Sequence, residues 1–124
     1  MTIVKMQEWM SEGLAEWVSS PIKDRLVAQA VRGGRLPSLK ELDDTINGKE
    51  QMGYSAQQVR RAYDLSIAVV EYLVERYGLD GFWRLAKEFA TARSMVAATP
   101  KAIGVSYQQL EGDWQQYVRQ QYGR

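Results

Sequence analysis

The sequence predicts an all-α protein, a compact bundle of about six helices, and three observations support that prediction. Apolar residues recur every three or four positions along most of the chain, which is the spacing of an amphipathic helix. Residues typical of helix caps and breaks (Ser, Asp, Gly and Pro) stand between these stretches. No useful length of sequence alternates apolar with polar residues, so we predict no strands. With 124 residues, 45% of them hydrophobic, residues 1–124 are expected to form a single helical domain.

The first two helices are predicted from apolar stripes and a proline. The first covers about residues 4–19. Ser20 followed by Pro21 is typical of an N-cap with proline at the first helical position, so a second helix should follow. Gly33 and Gly34 end that helix at about Arg32.

The middle of the chain is expected to hold a short turn, a loop and the longest helix. Ser38 is a possible N-cap for one helical turn ending near Leu42, and the polar stretch Asp43 to Gly53 reads as a loop. The longest helix, about 55–77, starts after Ser55 and is ended by Gly78. Its apolar stripe predicts that it is the central core helix.

Three shorter elements are predicted after Gly78. Asp80 caps a helix that fades near Arg93, and Thr99-Pro100 begins a short turn that ends at Gly104. Ser106 to Gln109 has the pattern of a capping box and opens the last helix. The residues of that helix expected to face inward are Leu110, Trp114, Tyr117 and Val118.

Composition excludes several classes of function. The 16 basic and 15 acidic residues give a net charge of +1, and the basic positions are scattered, so no nucleic-acid partner is expected. The absence of Cys excludes disulfides, thiolate metal sites and cysteine nucleophiles. No apolar run reaches the roughly 18 residues of a membrane span, and the stretch 1–5 is too short for a signal peptide. The compartment is left open.

The stretch from Trp9 to Trp17, W-M-S-E-G-L-A-E-W, resembles the W-x-x-E-G-x-A-E-[YW] signature of gluzincin zinc metallopeptidases, the peptidase MA-like and thermolysin-like group. The resemblance extends, in the family's order, over nearly the whole chain. Further similar segments are Leu36–Leu42, Ala62–Ser66, Tyr72–Gly78, Gly81–Leu85, Ala102–Gly104 and Leu110–Trp114. The resemblance implies a fold like the helical C-terminal subdomain of such peptidases.

The resemblance also implies roles for individual residues. Glu12 stands at the position of the third protein ligand of the zinc ion, and Glu16 at a second acidic position that would orient a histidine ligand. Gly13 would allow a neighbouring helix to approach closely. Tyr63 resembles a tyrosine that faces the catalytic cleft and steadies an oxyanion, with Tyr54 and Tyr77 as competing candidates.

The other half of the zinc site is missing from the sequence. In the family, the remaining two ligands and the general base come from H-E-x-x-H on an upstream helix, and this sequence contains no histidine. The chain is therefore expected to be the C-terminal helical half of a metallopeptidase, a hydrolase that is inactive in isolation. Zinc and the peptide substrate would belong to the intact parent, and this chain alone would have no cofactor. Its partner would be the missing N-terminal catalytic half or, through self-association, a second copy.

The alternative is a stand-alone, non-catalytic helical module for protein interaction. Glu8, Glu12 and Glu16 are spaced four residues apart, and such a row is also typical of a solvated acidic helix face. On the same reading Tyr63 is a buried tyrosine with a hydrogen-bonded hydroxyl. A gene with H-E-x-x-H upstream of Met1 would favour the peptidase hypothesis over the module.

Overall fold

The structure is a computed structural model that describes residues 8–19, 24–48 and 53–123. These ranges contain six helices and no strand. The helices are α1 (Glu8–Ser19), α2 (Asp24–Arg32), α3 (Leu39–Gly48), α4 (Ala56–Ala92), α5 (Met95–Ile103) and α6 (Tyr107–Tyr122). The prediction of an all-α bundle of about six helices is confirmed.

The bundle is organised around α4, which contacts each of the other five helices. Between residues 62 and 73 almost every side chain of α4 is buried, as expected for a helix surrounded by others. At Gly78 the backbone leaves the helical region, with φ 77° and ψ 166°, and divides α4 into two helical segments. Glycine tolerates this positive φ at little cost, which explains why the break falls where the sequence predicted the end of the central helix.

The first two helices agree with the sequence pattern over the part that the structure describes. The predicted start near residue 4 and the predicted cap at Ser20-Pro21 lie outside the described residues. Trp9 and Met10 of α1 and Val27 of α2 are fully buried in the common core. The apolar faces of α1 and α2 are therefore buried where both helices meet α4.

The expectation of a polar loop from Asp43 is wrong for residues 43–48, because α3 continues to Gly48. Leu39, Leu42 and Ile46 follow helical spacing and are at most 1% exposed, so burial of this stripe outweighs the weak helix propensity of the polar residues between them. The i,i+4 ion pair between Lys40 and Asp44, 2.9 Å, adds a small exposed contribution.

The short turn expected at Thr99-Pro100 is also wrong, because α5 already begins at Met95. Ser94 is the N-cap and its Oγ accepts a hydrogen bond from the Ala97 N–H at 3.3 Å. Pro100 lies inside the helix, where it forgoes the hydrogen bond that an N–H would donate to the carbonyl four residues earlier. Burial of Met95, Ala98 and Ala102 stabilises the helix in spite of that loss.

The capping box predicted for α6 is only half formed. The Gln109 N–H donates to Ser106 Oγ at 3.0 Å, so Ser106 is the N-cap as expected. The Gln109 side chain does not return to the cap; its amide donates to Asp113 at 2.7 Å. Leu110, Trp114 and Val118 are fully buried, as the sequence predicted, whereas Tyr117 is part-buried.

Candidate functional site

The crossing of α1 and α4 depends on Gly13. A Cβ atom at this position would lie 2.7 Å from the carbonyl oxygen of Ser66 and 2.9 Å from Cγ2 of Val70. Both distances are shorter than real Cβ contacts, so only glycine permits this separation of the two helices. Gly13 is thus the residue of α1 that allows its close approach to α4.

Glu12, the predicted zinc ligand, lies on α1 directly beside this crossing. Its side chain is part-exposed, and it forms no hydrogen bond or ion pair with another residue of the described ranges. The side chain of Glu16 lies outside the described residues. Within the described part of the chain, no group of three or more Asp, Glu, His or Cys residues could hold a metal ion. Among the described residues, Glu12 is therefore not part of a group of metal-ligating side chains.

Tyr63 lies on α4 one helical turn before Ser66, which places it near the same crossing as Glu12. Its side chain is part-buried and packs against the hydrophobic core. Its hydroxyl forms no hydrogen bond to any residue that the structure describes. The alternative expectation of a hydrogen-bonded hydroxyl is not met within the described residues.

Asp64, the next residue along α4, is fully buried. Its carboxylate forms an ion pair with the guanidinium of Arg60, at 3.2 Å, one turn earlier. A buried carboxylate is expensive unless it is paired, so Arg60 has a structural role here. The neighbouring Arg61 is not part of this ion pair.

The other two candidate tyrosines lie in different places. Tyr77 packs edge-to-face on Tyr72, with ring centroids 6.3 Å apart, and the guanidinium of Arg76 stands 5.3 Å from the Tyr77 ring centroid. Tyr54, which precedes α4, lines a cleft against α3. The three tyrosines do not form one site.

A cluster of tyrosines and carboxylates joins α4 to α6. The Tyr117 hydroxyl donates a hydrogen bond to Glu75, and the Tyr122 hydroxyl donates to Glu71 at 2.6 Å. The Tyr72 and Tyr117 rings are 5.3 Å apart. Burial, and next the hydrogen bond to Glu75, raise the pKa of Tyr117 well above its ordinary value of 10. Tyr117 therefore stays neutral and can donate its hydrogen bond to Glu75, which joins α6 to α4.

A cleft of about 380 Å³ opens between the end of α2, α3 and the start of α4. Its apolar lining includes Ala30, Leu42, Ala62 and Leu65, and its polar lining includes Tyr54, Gln58 and Arg61. The volume is at the lower end of the range typical of small-molecule sites, roughly 300–1,000 Å³. Neither Glu12 nor Tyr63 lines this cleft. It is therefore separate from the predicted metal position.

Among the described residues, Arg61 has no partner, unlike the other two charged groups of the cleft, Arg35 and Glu41. Its Nε is buried and has no hydrogen-bond acceptor among the described residues. The other arginine of the cleft, Arg35, is paired with Glu41 at 2.9 Å. A buried donor without an acceptor costs free energy, which a ligand with an anionic oxygen could recover.

Comparison with known proteins finds no matching protein-family model, no matching curated protein and no matching solved structure. No helix within the described ranges is both long enough and apolar enough to span a membrane. Any assignment of function therefore rests on the residues and their arrangement.

Sequence reasoning found the residues of the α1–α4 crossing but missed the cleft. Arg61 belongs to no motif, and Thr45, which lines the cleft from α3, falls in the stretch that the sequence predicts as a loop. One signal was available: Ser55 and Gln58 have the spacing of a capping box, which fixes the Gln58 side chain at the start of α4.

Proposed function

We propose that this chain is the C-terminal helical part of a zinc-dependent metallopeptidase-like protein and that Glu12 is the third protein ligand of its metal ion. The supporting observation is the crossing at Gly13. It brings the helix of Glu12 against the helix of Tyr63, and it leaves the Glu12 carboxylate without a partner among the described residues. The order of the remaining motifs along the chain supports the same proposal.

The residues of this chain supply only part of the chemistry. A zinc ion bound by two imidazoles and one carboxylate would activate water for peptide hydrolysis. Glu12 fits the carboxylate position, and the hydroxyl of Tyr63, which has no partner among the described residues, suits donation to a developing oxyanion. The sequence has no histidine, so the ligands and general base must come from a segment outside these 124 residues. On its own the chain is expected to be inactive.

Two measurements test the proposal. Isothermal titration of Zn²⁺ into the 124-residue chain should show no stoichiometric tight binding. In the protein encoded by the whole gene, with its H-E-x-x-H segment, Glu12→Gln should reduce zinc affinity and peptidase activity by more than about tenfold, since even groups that only support a zinc ligand contribute that much.

The matched control is Glu88→Gln, which removes a part-exposed carboxylate on α4 that has no partner within the described ranges. It should leave zinc content and activity unchanged. A whole gene without H-E-x-x-H, or a Glu12→Gln protein with normal zinc content, would contradict the proposal.

The missing half also predicts association. The surfaces of α1 and α4 that would pack against the N-terminal half are exposed to solvent when that half is absent, and such surfaces favour contact with another chain. We therefore propose that the 124-residue chain self-associates, which light scattering at high protein concentration would detect. A strictly monomeric species would count against this corollary.

A further inference from the structure

The cleft between α2, α3 and α4 has the form of a second, independent site. It is bounded by Ala30 at the end of α2, Leu42 of α3, and Ala62 and Leu65 of α4. These four apolar residues are at most 6% exposed and belong to the close-packed core. The site does not depend on the zinc proposal, because it shares no residue with the α1–α4 crossing.

Among the described residues, the unpaired positive charge of the cleft comes from Arg61. Asp64 is engaged with Arg60, and Glu41 is engaged with Arg35, so no described carboxylate pairs with Arg61. The buried Nε of Arg61 has no acceptor in the described part of the chain. An arginine side chain presents its donors in a planar fork that matches the two oxygens of a carboxylate.

The polar side of the cleft also includes Thr45 and the Arg35–Glu41 ion pair, and two further neutral groups, Gln58 and Tyr54, offer hydrogen bonds. The Oε1 of Gln58 accepts a hydrogen bond from the Ser55 N–H at 2.7 Å, which fixes the side chain and leaves its amide nitrogen as a donor. Tyr54 supplies a hydroxyl that is not hydrogen-bonded to any described residue. The cleft thus combines one cation without a partner among the described residues, one ion pair that is neutral overall, several neutral hydrogen-bonding groups and an apolar floor.

We propose that this cleft binds a small monocarboxylate with an apolar body, whose carboxylate pairs with Arg61. One unpaired guanidinium balances one negative charge, whereas a phosphate dianion would bring a second charge that has no partner here. A cation is excluded by Arg61 itself. The volume of about 380 Å³ suits a ligand of the size of a single aromatic ring with a short acidic chain.

Phenylacetate is a suitable probe, and phenylacetamide is its uncharged counterpart. In a titration followed by ¹H–¹⁵N NMR, phenylacetate should shift the Arg61 Nε–H signal and the backbone amides of Gln58 and Leu42 in a saturable way. Phenylacetamide should bind at least about tenfold more weakly, because it cannot form the charge-assisted pair. Inorganic phosphate should be no better than the amide.

Arg61→Gln should weaken phenylacetate binding by at least about tenfold, and Arg61→Lys should fall between the two because the charge remains but the fork is lost. The control is Arg76→Gln, about 22 Å away along α4 at 1.5 Å per residue, which should bind as the unchanged protein does. Circular dichroism of each variant checks that the helices persist.

Three outcomes would overturn the proposal: no saturable shift with phenylacetate, equal binding of the acid and the amide, or binding by Arg61→Gln equal to that by Arg76→Gln. Preference for phosphate over phenylacetate would also overturn it, since that result requires a dianion site.

Discussion

Gly13 of α1 packs directly against the backbone of Ser66 in α4, with no room for a side chain between the two helices. The carbonyl of Ser66 and the Cγ2 of Val70 occupy the space that a methyl group at Gly13 would need. Because Trp9 and Met10 of the same helix are fully buried, α1 cannot move outward without uncovering core residues.

We expect Gly13→Ala to lower the free energy of unfolding. Overpacking at a tight contact costs about 1–3 kcal/mol. The better helix propensity of Ala offsets about 0.5–1 kcal/mol of this. The net loss should be about 1–2 kcal/mol, measured by urea unfolding at pH 7.

Gly112→Ala is the matched control, because Gly112 is exposed in α6 and a Cβ built there meets no atom within 4 Å other than those of the adjacent residues and the local helix backbone. This variant should be more stable than the unchanged protein by about 0.5–1 kcal/mol, the propensity gain alone. If both variants gain stability equally, the close packing of Gly13 on Ser66 is wrong.

Helices α4 and α6 both begin at a serine N-cap. Removing the side chain three residues after the cap should lower the stability of the protein by different amounts in the two helices. Gln58 returns a hydrogen bond to the Ser55 N–H, whereas Gln109 is bonded to Asp113. Gln58→Ala should therefore cost about 0.5–1.5 kcal/mol. Gln109→Ala should cost less than about 0.5 kcal/mol, the worth of an exposed i,i+4 pair. Thermal unfolding of both variants distinguishes them, and equal losses would contradict the difference in capping.

The sequence correctly predicts features that depend only on neighbouring residues, such as helix caps and helix breaks. Ser55 and Ser106 cap helices, and Gly78 breaks one, because the conformational preferences of these residues act on their immediate neighbours. The continuation of α3 could not be predicted in this way. It depends on burial of Leu42 and Ile46 against helices that are distant in sequence.

The two candidate sites also differ in whether their residues are close together in the sequence. Glu12 and Gly13 stand in one short motif and could be found by resemblance. The cleft around Arg61 is assembled from three helices, and the sequence predicts a loop in place of the part of α3 after Leu42. Nothing local indicates that Arg60 is paired with buried Asp64 while Arg61 is not.

A carboxylate from α6 helps to begin α3. The Leu39 N–H, in the first turn of α3, donates to Oε1 of Glu111 at 2.8 Å. An anionic acceptor at a helix N-terminus satisfies a free N–H and interacts favourably with the helix dipole.

We therefore expect Glu111→Ala to lower the free energy of unfolding by about 1–2 kcal/mol, the usual value of an N-terminal cap. Glu111→Gln keeps an acceptor and should lose less, and Glu88→Ala is the control for loss of a part-exposed carboxylate. Hydrogen exchange of the Leu39 amide should become faster in Glu111→Ala. An unchanged exchange rate would show that this remote cap is absent.

The contact of Tyr117 with Glu75 makes stability depend on alkaline pH. Because the pKa of Tyr117 is raised in the folded protein, the folded state keeps a proton that the unfolded state loses above about pH 10. The stabilisation is thus complete below that pH and decreases as the pH rises, with a limiting slope of about 1.4 kcal/mol per pH unit for each proton. Burial also raises the pKa values of Tyr72 and Tyr107, so they contribute in the same direction.

Tyr117→Phe should remove one of these contributions. At pH 7 the variant should be less stable by about 1 kcal/mol, because the hydrogen bond to Glu75 is lost. At pH 11 the difference from the unchanged protein should shrink or change sign, because phenylalanine has no proton to lose. Urea unfolding at both pH values measures this, with Gly112→Ala as a variant whose effect should not vary with pH. A Tyr117→Phe difference that is the same at pH 7 and pH 11 would mean that Tyr117 ionises equally easily in the folded and unfolded chain.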